Sequence, residues 1–234
     1  MSLASQYFPD NFSVDLITGL PCHNEKIIND DIEKVLKFKP SHISLYSLTA
    51  EDDTFLKKKL KEKKIVLPEL TDADSMWLFA RDKLIDSGFD NYEVSNFAVN
   101  KKYCVHNMRY WQMKNWIGAG PCASGTIVNE DEGKAIRVTY EKDIEKYIKF
   151  PNINYAGLEE LNSDLFLRDT LLMGFRCKEG PDNKLFKKRF GFNMEEAIPE
   201  TLFNWKNKDK ILFLNRFIEQ AFEELDLKKD IAKI

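Results

Sequence analysis

The fold is decided by residues 11–21, which read NFSVDLITGLP. A short apolar and β-branched run that closes with a glycine and a proline predicts a buried strand followed by a loop. Apolar residues then recur at helical spacing over residues 25–38, and residues 42–48 (HISLYSL) predict a second strand. Strand, helix and strand with short links predict a βαβ unit and a parallel sheet.

The same alternation continues to a third predicted strand at residues 92–97, after a helix that ends near Gly88. Beyond residue 151 the pattern becomes helical, and no strand of comparable strength is predicted there. The sequence therefore predicts an α/β part over residues 8–150 and a mainly helical part over residues 151–234. Helices are predicted in this second part at residues 165–176, 184–189 and 211–225.

Composition is that of an ordinary globular protein, with 43% hydrophobic and 31% charged residues among 234. Lysine and arginine (35) nearly balance aspartate and glutamate (38), which leaves a net charge of -3 and no basic field for nucleic acid. No apolar run approaches the ~20 residues of a membrane span, and the start does not resemble a secretory signal. We therefore expect a cytoplasmic protein without a membrane span or a nucleic-acid partner.

The cysteines are widely spaced, because none lies two to four residues from another. This spacing excludes a zinc ribbon, a CxxC redox pair and a contiguous iron–sulfur motif within the chain. We expect reduced, individually placed thiols at Cys22, Cys104, Cys122 and Cys177.

Four segments, taken in order, resemble one protein family. They are SVDLITGLP at residues 13–21, YEVSNFA at 92–98, HNMRYW at 106–111 and GAGPCAS at 118–124. Together they resemble the oxygen-independent coproporphyrinogen III oxidase-like radical S-adenosylmethionine proteins. The His-Asn-x-x-Tyr-Trp segment is similar to the heme-chaperone branch, and the resemblance continues through residues 171–180.

The resemblance implies part of a (βα) radical S-adenosylmethionine barrel, with a mainly helical C-terminal appendage. Family members carry a Cys-x-x-x-Cys-x-x-Cys loop that holds a 4Fe-4S cluster near their N-terminus, and this chain has no such loop. The chain thus resembles the C-terminal part of a longer protein that would hold the cluster. We expect no radical chemistry, and assign no catalytic residue, in the chain on its own.

The S-adenosylmethionine site implied by the resemblance involves five residues. Asp15, taken alone as an aspartate at the end of a strand, favours a turn-capping role, whereas the family's matching aspartate contacts the cofactor ribose. Thr49 and Ser124 line the cofactor site by similarity, although relatives often have histidine in place of Ser124. Gly118 and Gly120 permit a close backbone approach to a ligand, whereas a glycine pair taken alone favours a tight turn.

A heme site is implied at the HNMRYW segment. His106 is the candidate axial ligand, because a neutral imidazole is a good ligand for heme iron. Tyr110 and Trp111 could pack on the porphyrin, and Asn107 could meet a propionate. The alternatives are a loop histidine beside two core aromatic residues, or an axial thiolate from Cys104.

Three functions follow from these observations. The first is a heme chaperone that binds heme or a porphyrin and transfers heme to an acceptor protein. The second is a true oxygen-independent coproporphyrinogen III oxidase, which decarboxylates propionates in porphyrin biosynthesis. The third is an inactive remnant of the fold. In addition, a partial barrel leaves an open sheet edge, so we expect self-association through residues 14–18.

Overall fold

The first two predicted strands pair in parallel, in a computed structural model that describes residues 1–149 and 155–232. The register joins Val14 to Ile43 and Leu16 to Leu45. These side chains lie on the face of the sheet that packs against two helices, where Ile32 and Leu84 are fully buried. The alternation of apolar and polar residues along both strands therefore sets which face is covered.

The chain divides into two compact units, and the first comprises Met1–Cys104. Its sheet has four strands in the order Ser13–Thr18 (β1), His42–Ser47 (β2), Asn96–Ala98 (β4) and Asp90–Asn91 (β3), so β1 lies at an edge. The Asn24 side chain accepts a hydrogen bond from the Ile27 amide (3.0 Å) and caps the first long helix. The elements are α1 (Ser2–Tyr7), β1 (Ser13–Thr18), α2 (Glu25–Leu36), β2 (His42–Ser47), α3 (Phe55–Lys61), α4 (Leu70–Asp86), β3 (Asp90–Asn91) and β4 (Asn96–Ala98).

The prediction of one parallel third strand at residues 92–97 is wrong. Two short strands, β3 and β4, form there instead, and β4 pairs antiparallel with β2. Local hydrogen bonds explain the difference: Asn91 Nδ2 donates to the Glu93 carbonyl (2.7 Å), and the Ser95 amide donates to Glu93 Oε1 (3.2 Å). Both bonds fold the chain into a turn at Glu93, and a continuous strand through residues 92–97 could not make them.

The second unit comprises Val105–Ile234 and contains an antiparallel sheet of order β5 (Ser124–Asn129), β6 (Lys134–Tyr140) and β7 (Tyr155–Leu161). One face of this sheet contributes Val128, Ala135 and Leu161 to a core shared with Phe166. The elements are α5 (Val105–Trp111), β5 (Ser124–Asn129), β6 (Lys134–Tyr140), α6 (Ile144–Lys149), β7 (Tyr155–Leu161), α7 (Ser163–Gly174), α8 (Asn183–Phe190), α9 (Met194–Ala197), α10 (Pro199–Asn204) and α11 (Leu214–Ala232).

The α/β class is confirmed, with helices following β7 as predicted. β7 itself is a strand that the sequence did not predict, and it pairs with β6. The boundary predicted between residues 150 and 151 lies outside the described residues, so the division into domains at that point stays a prediction.

Candidate functional site

The HNMRYW segment supplies six of the seven residues of helix α5 (Val105–Trp111). Met113, in the turn that follows, is fully buried in the core of the second unit. Arg189, on α8, donates to the carbonyls of Gln112 (3.1 Å) and Met113 (2.9 Å). A cation at this position satisfies carbonyl groups that follow the end of a helix. The end of α5 is thus fixed by a side chain from another element.

Arg189 is itself held by a carboxylate. Its Nε and Nη2 donate to the two oxygens of Glu130, at 2.8 and 3.0 Å. The hydrogen bonds from Arg189 hold the pKa of the Glu130 carboxyl below its usual range. The pair is therefore charged at neutral pH, and its two parallel bonds fix the guanidinium in one orientation.

One side of α5, together with the residue that follows the helix, contacts the turn after α7. Gln112 Nε2 donates to the Gly180 carbonyl (3.3 Å), and the Asp182 amide donates to Gln112 Oε1 (2.7 Å). Met108 Sδ lies 3.8 Å from the buried Cys177 Sγ. These contacts join α5 to residues 177–182 and fix how the helix is rotated.

The remaining side of α5 carries His106 and Tyr110. His106 is exposed, and its Nε2 lies 3.2 Å from the Tyr110 hydroxyl. The two rings meet edge to face with centroids 4.8 Å apart, and Tyr110 makes a similar contact with Trp116 (4.8 Å). An exposed imidazole beside two aromatic rings can bind a metal ion and a flat apolar molecule together.

The other two predicted heme residues lie elsewhere on this helix. Asn107 is half-buried between the two sides. Trp111 faces Arg176, whose guanidinium carbon lies 4.6 Å from the centre of the indole ring. The structure thus brings His106 and Tyr110 into contact, while Trp111 belongs to a separate cluster.

Gly118 and Gly120 lie in the loop before β5 in the second unit, and Ser124 is the first residue of that strand. A Cβ added to Gly118 would lie 2.6 Å from the carbonyl oxygen of Ser124, so only glycine fits there. Gly120 has φ +111°, and its amide donates to the Tyr147 hydroxyl (3.2 Å). The Ser124 hydroxyl is within 2.9 Å of the Thr139 hydroxyl. Both glycines thus have local structural reasons, and their role in cofactor binding stays a prediction.

Asp15 and Thr49 belong to the first unit. Asp15 is exposed and pairs in register with Ser44. It lies in the middle of β1, about 10 Å from Thr18 at the strand's carboxyl end, on the usual rise per residue. Thr49 is exposed in the segment after β2. The prediction that Asp15 lies at the end of its strand is therefore wrong. Its side chain belongs to the face of the sheet opposite the helices.

That face also holds a buried network that the sequence analysis missed. His42 is 8% exposed; its Nδ1 lies 2.8 Å from the Ser13 hydroxyl and its Nε2 lies 2.9 Å from the Tyr92 hydroxyl. The Tyr92 hydroxyl accepts a hydrogen bond from the Cys104 amide (3.1 Å). The Tyr92 ring stacks on the Tyr103 ring, with centroids 4.2 Å apart. Burial lowers the pKa of His42, against an opposing effect of Asp15. Polar residues alternating along β1 and β2 were the sequence signal for this face.

The four cysteines occupy different environments. Cys22 and Cys122 are exposed, Cys104 is half-buried and Cys177 is buried. Among the described residues, no three His, Cys, Asp or Glu side chains come together as a group that could hold a metal ion. In the same part of the chain, no helix has the length and apolar character needed to cross a membrane.

Comparisons with known proteins follow the resemblance seen in the motifs. No family model matches the chain. The heme chaperone HemW of Lactococcus lactis is 28% identical over 208 residues, which cover 88% of this chain and 53% of that protein. The mitochondrial radical S-adenosyl methionine domain-containing protein 1 of Mus musculus is 38% identical over 178 residues, covering 74% and 40%.

Among solved structures, coproporphyrinogen III oxidase (HemN) from Escherichia coli, a radical SAM enzyme, matches with a TM-score of 0.65. The match covers 89% of this chain and 54% of that chain at 14% identity, so it shows the fold. The chain spans about half the length of the curated relatives it matches. The chain is therefore a homologue of the HemW heme chaperones and of radical S-adenosyl methionine domain-containing protein 1, with part of the HemN-type radical SAM fold.

Proposed function

We propose that this chain binds heme at the exposed side of α5, as the heme-binding part of a heme chaperone. The observation that carries the proposal is the contact between His106, which is exposed, and Tyr110, which is half-buried. Both lie on one side of α5, and the opposite side of that helix is fixed by other contacts. A rigid helix keeps the imidazole in place, because Gln112 and Arg189 hold its end. The relatives named as HemW heme chaperones support the same assignment.

Each residue has a distinct part in the proposed site. His106 supplies a nitrogen donor, and a neutral imidazole is the form that binds iron. Tyr110 hydrogen-bonds to this ring and, with Trp116, presents aromatic surface. Cys104 directly precedes α5 in the chain, and its thiol is the alternative axial ligand in this proposal.

The test is hemin binding followed by the Soret band. We expect saturable binding, with the band altered and the affinity lowered at least about tenfold in His106→Ala, because an iron–imidazole bond is lost. His23→Ala is the matched control, since it removes an imidazole from the other unit. An identical spectrum in wild type and His106→Ala would exclude His106 as the ligand, and a change confined to Cys104→Ala would assign the thiolate.

A second part of the proposal concerns S-adenosylmethionine. Asp15 and Thr49 in the first unit, with Gly118, Gly120 and Ser124 in the second, are the proposed contacts, and homology to radical SAM proteins supports them. Cleavage of S-adenosylmethionine needs the electron that a 4Fe-4S cluster supplies. The four cysteines of the chain do not fit such a cluster, so we assign no chemical step to these residues. Titration calorimetry with S-adenosylmethionine tests binding, and a flat titration contradicts it.

The chaperone is preferred to the oxidase for one reason. The curated relatives include HemW heme chaperones from several bacteria, whereas the HemN likeness, at 14% identity, concerns the fold. Transfer of heme to an acceptor protein, and a location in the cytoplasm, belong to the same proposal. Formation of a vinyl-bearing porphyrin by a cluster-loaded longer protein would support the oxidase instead.

A further inference from the structure

The cluster of Trp111 and Arg176 has unsatisfied hydrogen-bond donors. Trp111 Nε1 and Arg176 Nε are both buried, and neither has an acceptor among the described residues. The guanidinium lies over the indole, 4.6 Å from the ring centre. Buried donors normally find an acceptor, so two neighbouring donors without one indicate that the acceptor comes from outside the chain.

Within the part of the chain that the structure describes, Arg176 lacks the carboxylate partner that three other arginines of the second unit have. Arg137, Arg168 and Arg189 each have carboxylate partners. No carboxylate lies within ion-pair distance of Arg176 among the residues described. A guanidinium remains charged at any ordinary pH and offers a planar set of donors that matches a carboxylate.

The surrounding contacts hold the pair in place. Met108 lies against Cys177, next to Arg176 in the chain, and Gln112, next to Trp111, binds both sides of the turn at residues 180–182. Arg176 as a residue is only half-buried, so solvent reaches part of it. For a carboxylate to reach the indole N–H, the guanidinium has to move aside from the face of the indole ring. No ion pair among the described residues opposes that movement.

We propose that Arg176 and Trp111 form a binding site for a carboxylate, separate from the His106–Tyr110 pair. The carboxylate accepts from the guanidinium and from the indole N–H, which supply donors only. Two sources share this chemistry, a porphyrin propionate and a free small carboxylate. The porphyrin source rests on the proposed function, whereas the carboxylate site itself does not.

The test follows the indole N–H resonances of the ¹⁵N-labelled chain. Four tryptophans give four such resonances, and Trp111→Phe identifies the relevant one. We expect sodium propionate to shift this resonance saturably, while neutral propionamide leaves it in place. Arg176→Met should weaken propionate binding at least about tenfold, because a charge-assisted pair is lost. Lys114→Met, which removes a charge from an exposed position nearby, should bind as wild type does.

Two further arms separate the sources and guard against misfolding. Iron-free protoporphyrin and its dimethyl ester differ only in free carboxylates. A shift caused by protoporphyrin but not by its ester identifies the porphyrin propionate as the source. A shift caused by propionate but not by protoporphyrin identifies a small carboxylate. Arg176→Lys keeps the positive charge but lacks the planar set of guanidinium donors. In every variant, unshifted resonances of the other three indoles show that the chain is folded.

The proposal is overturned if neither propionate nor protoporphyrin shifts the Trp111 resonance. It is also overturned if Arg176→Met responds as wild type does, or if the indole proton shows contact with water and no response to carboxylates. Because the porphyrin used here contains no iron, these outcomes are independent of whether His106 binds heme iron.

Discussion

Arg189 is a buried cation whose partners all belong to other elements of the second unit. Its side chain is 1% exposed, and it bonds Glu130 and two carbonyls. Arg189→Met should lower the free energy of unfolding by about 3–5 kcal/mol, because it leaves Glu130 without its cation and two carbonyls without donors. Urea unfolding measures this change. Lys188→Met removes an exposed charge from the same helix and should change stability by less than about 1 kcal/mol; equal losses would contradict the assignment.

His42 makes stability depend on pH. Burial lowers its pKa in the folded chain, so the unfolded chain takes up a proton first as the pH falls below about 6.5. Above that pH His42 is neutral in both the folded and the unfolded chain, so it does not make stability depend on pH. Below it, the free energy of unfolding should fall. The fall ends once the pH is below the pKa of His42 in the folded chain. Urea midpoints at pH 7.5 and 5.5 should show a smaller drop in His42→Gln than in wild type. His23→Gln is the control, and equal drops in all three proteins would refute the prediction.

At the scale of elements, the loop before β5 depends on one close approach. A Cβ at Gly118 would lie within 2.6–2.9 Å of three backbone atoms of Ser124. Gly118→Ala should therefore destabilise by about 1–3 kcal/mol, as overpacking does. Gly157→Ala, in β7, meets no atom within 4 Å and should be close to neutral. Thermal unfolding of the two variants compares them, and a neutral Gly118→Ala would show that the loop can move aside.

The predictable elements are those whose pattern is local. β1, α2 and β2 follow from apolar spacing and turn residues, and the family motifs identified the segment that forms α5, although they did not predict that it is helical. β7 was missed because its pairing with β6 is not encoded in its own alternation. The single strand predicted at residues 92–97 was wrong because a turn around Glu93 interrupts it. Among site residues, the roles of Arg176, Arg189 and Gln112 could not be predicted, since each depends on contacts between elements far apart in the chain.

At the scale of the whole molecule, β1 is the feature with consequences for assembly. It lies at the edge of its sheet, and Ile17 on it is 45% exposed. We expect the chain to self-associate through this edge, because an uncovered strand offers free backbone groups. Ile17→Lys should lower the average mass in light scattering, whereas Ile27→Lys on α2 should not. A wild type that is monomeric at all concentrations would rule this out.

The bond from the Cys104 amide to the Tyr92 hydroxyl has a consequence for hydrogen–deuterium exchange. Cys104 is the last residue of the first unit, and its amide is protected by a tyrosine that is itself bound to His42. This proton should therefore exchange at the rate at which the first unit opens, even though the next residue begins a helix of the second unit. The boundary between two cooperative units would then be visible as a step in protection between adjacent amides.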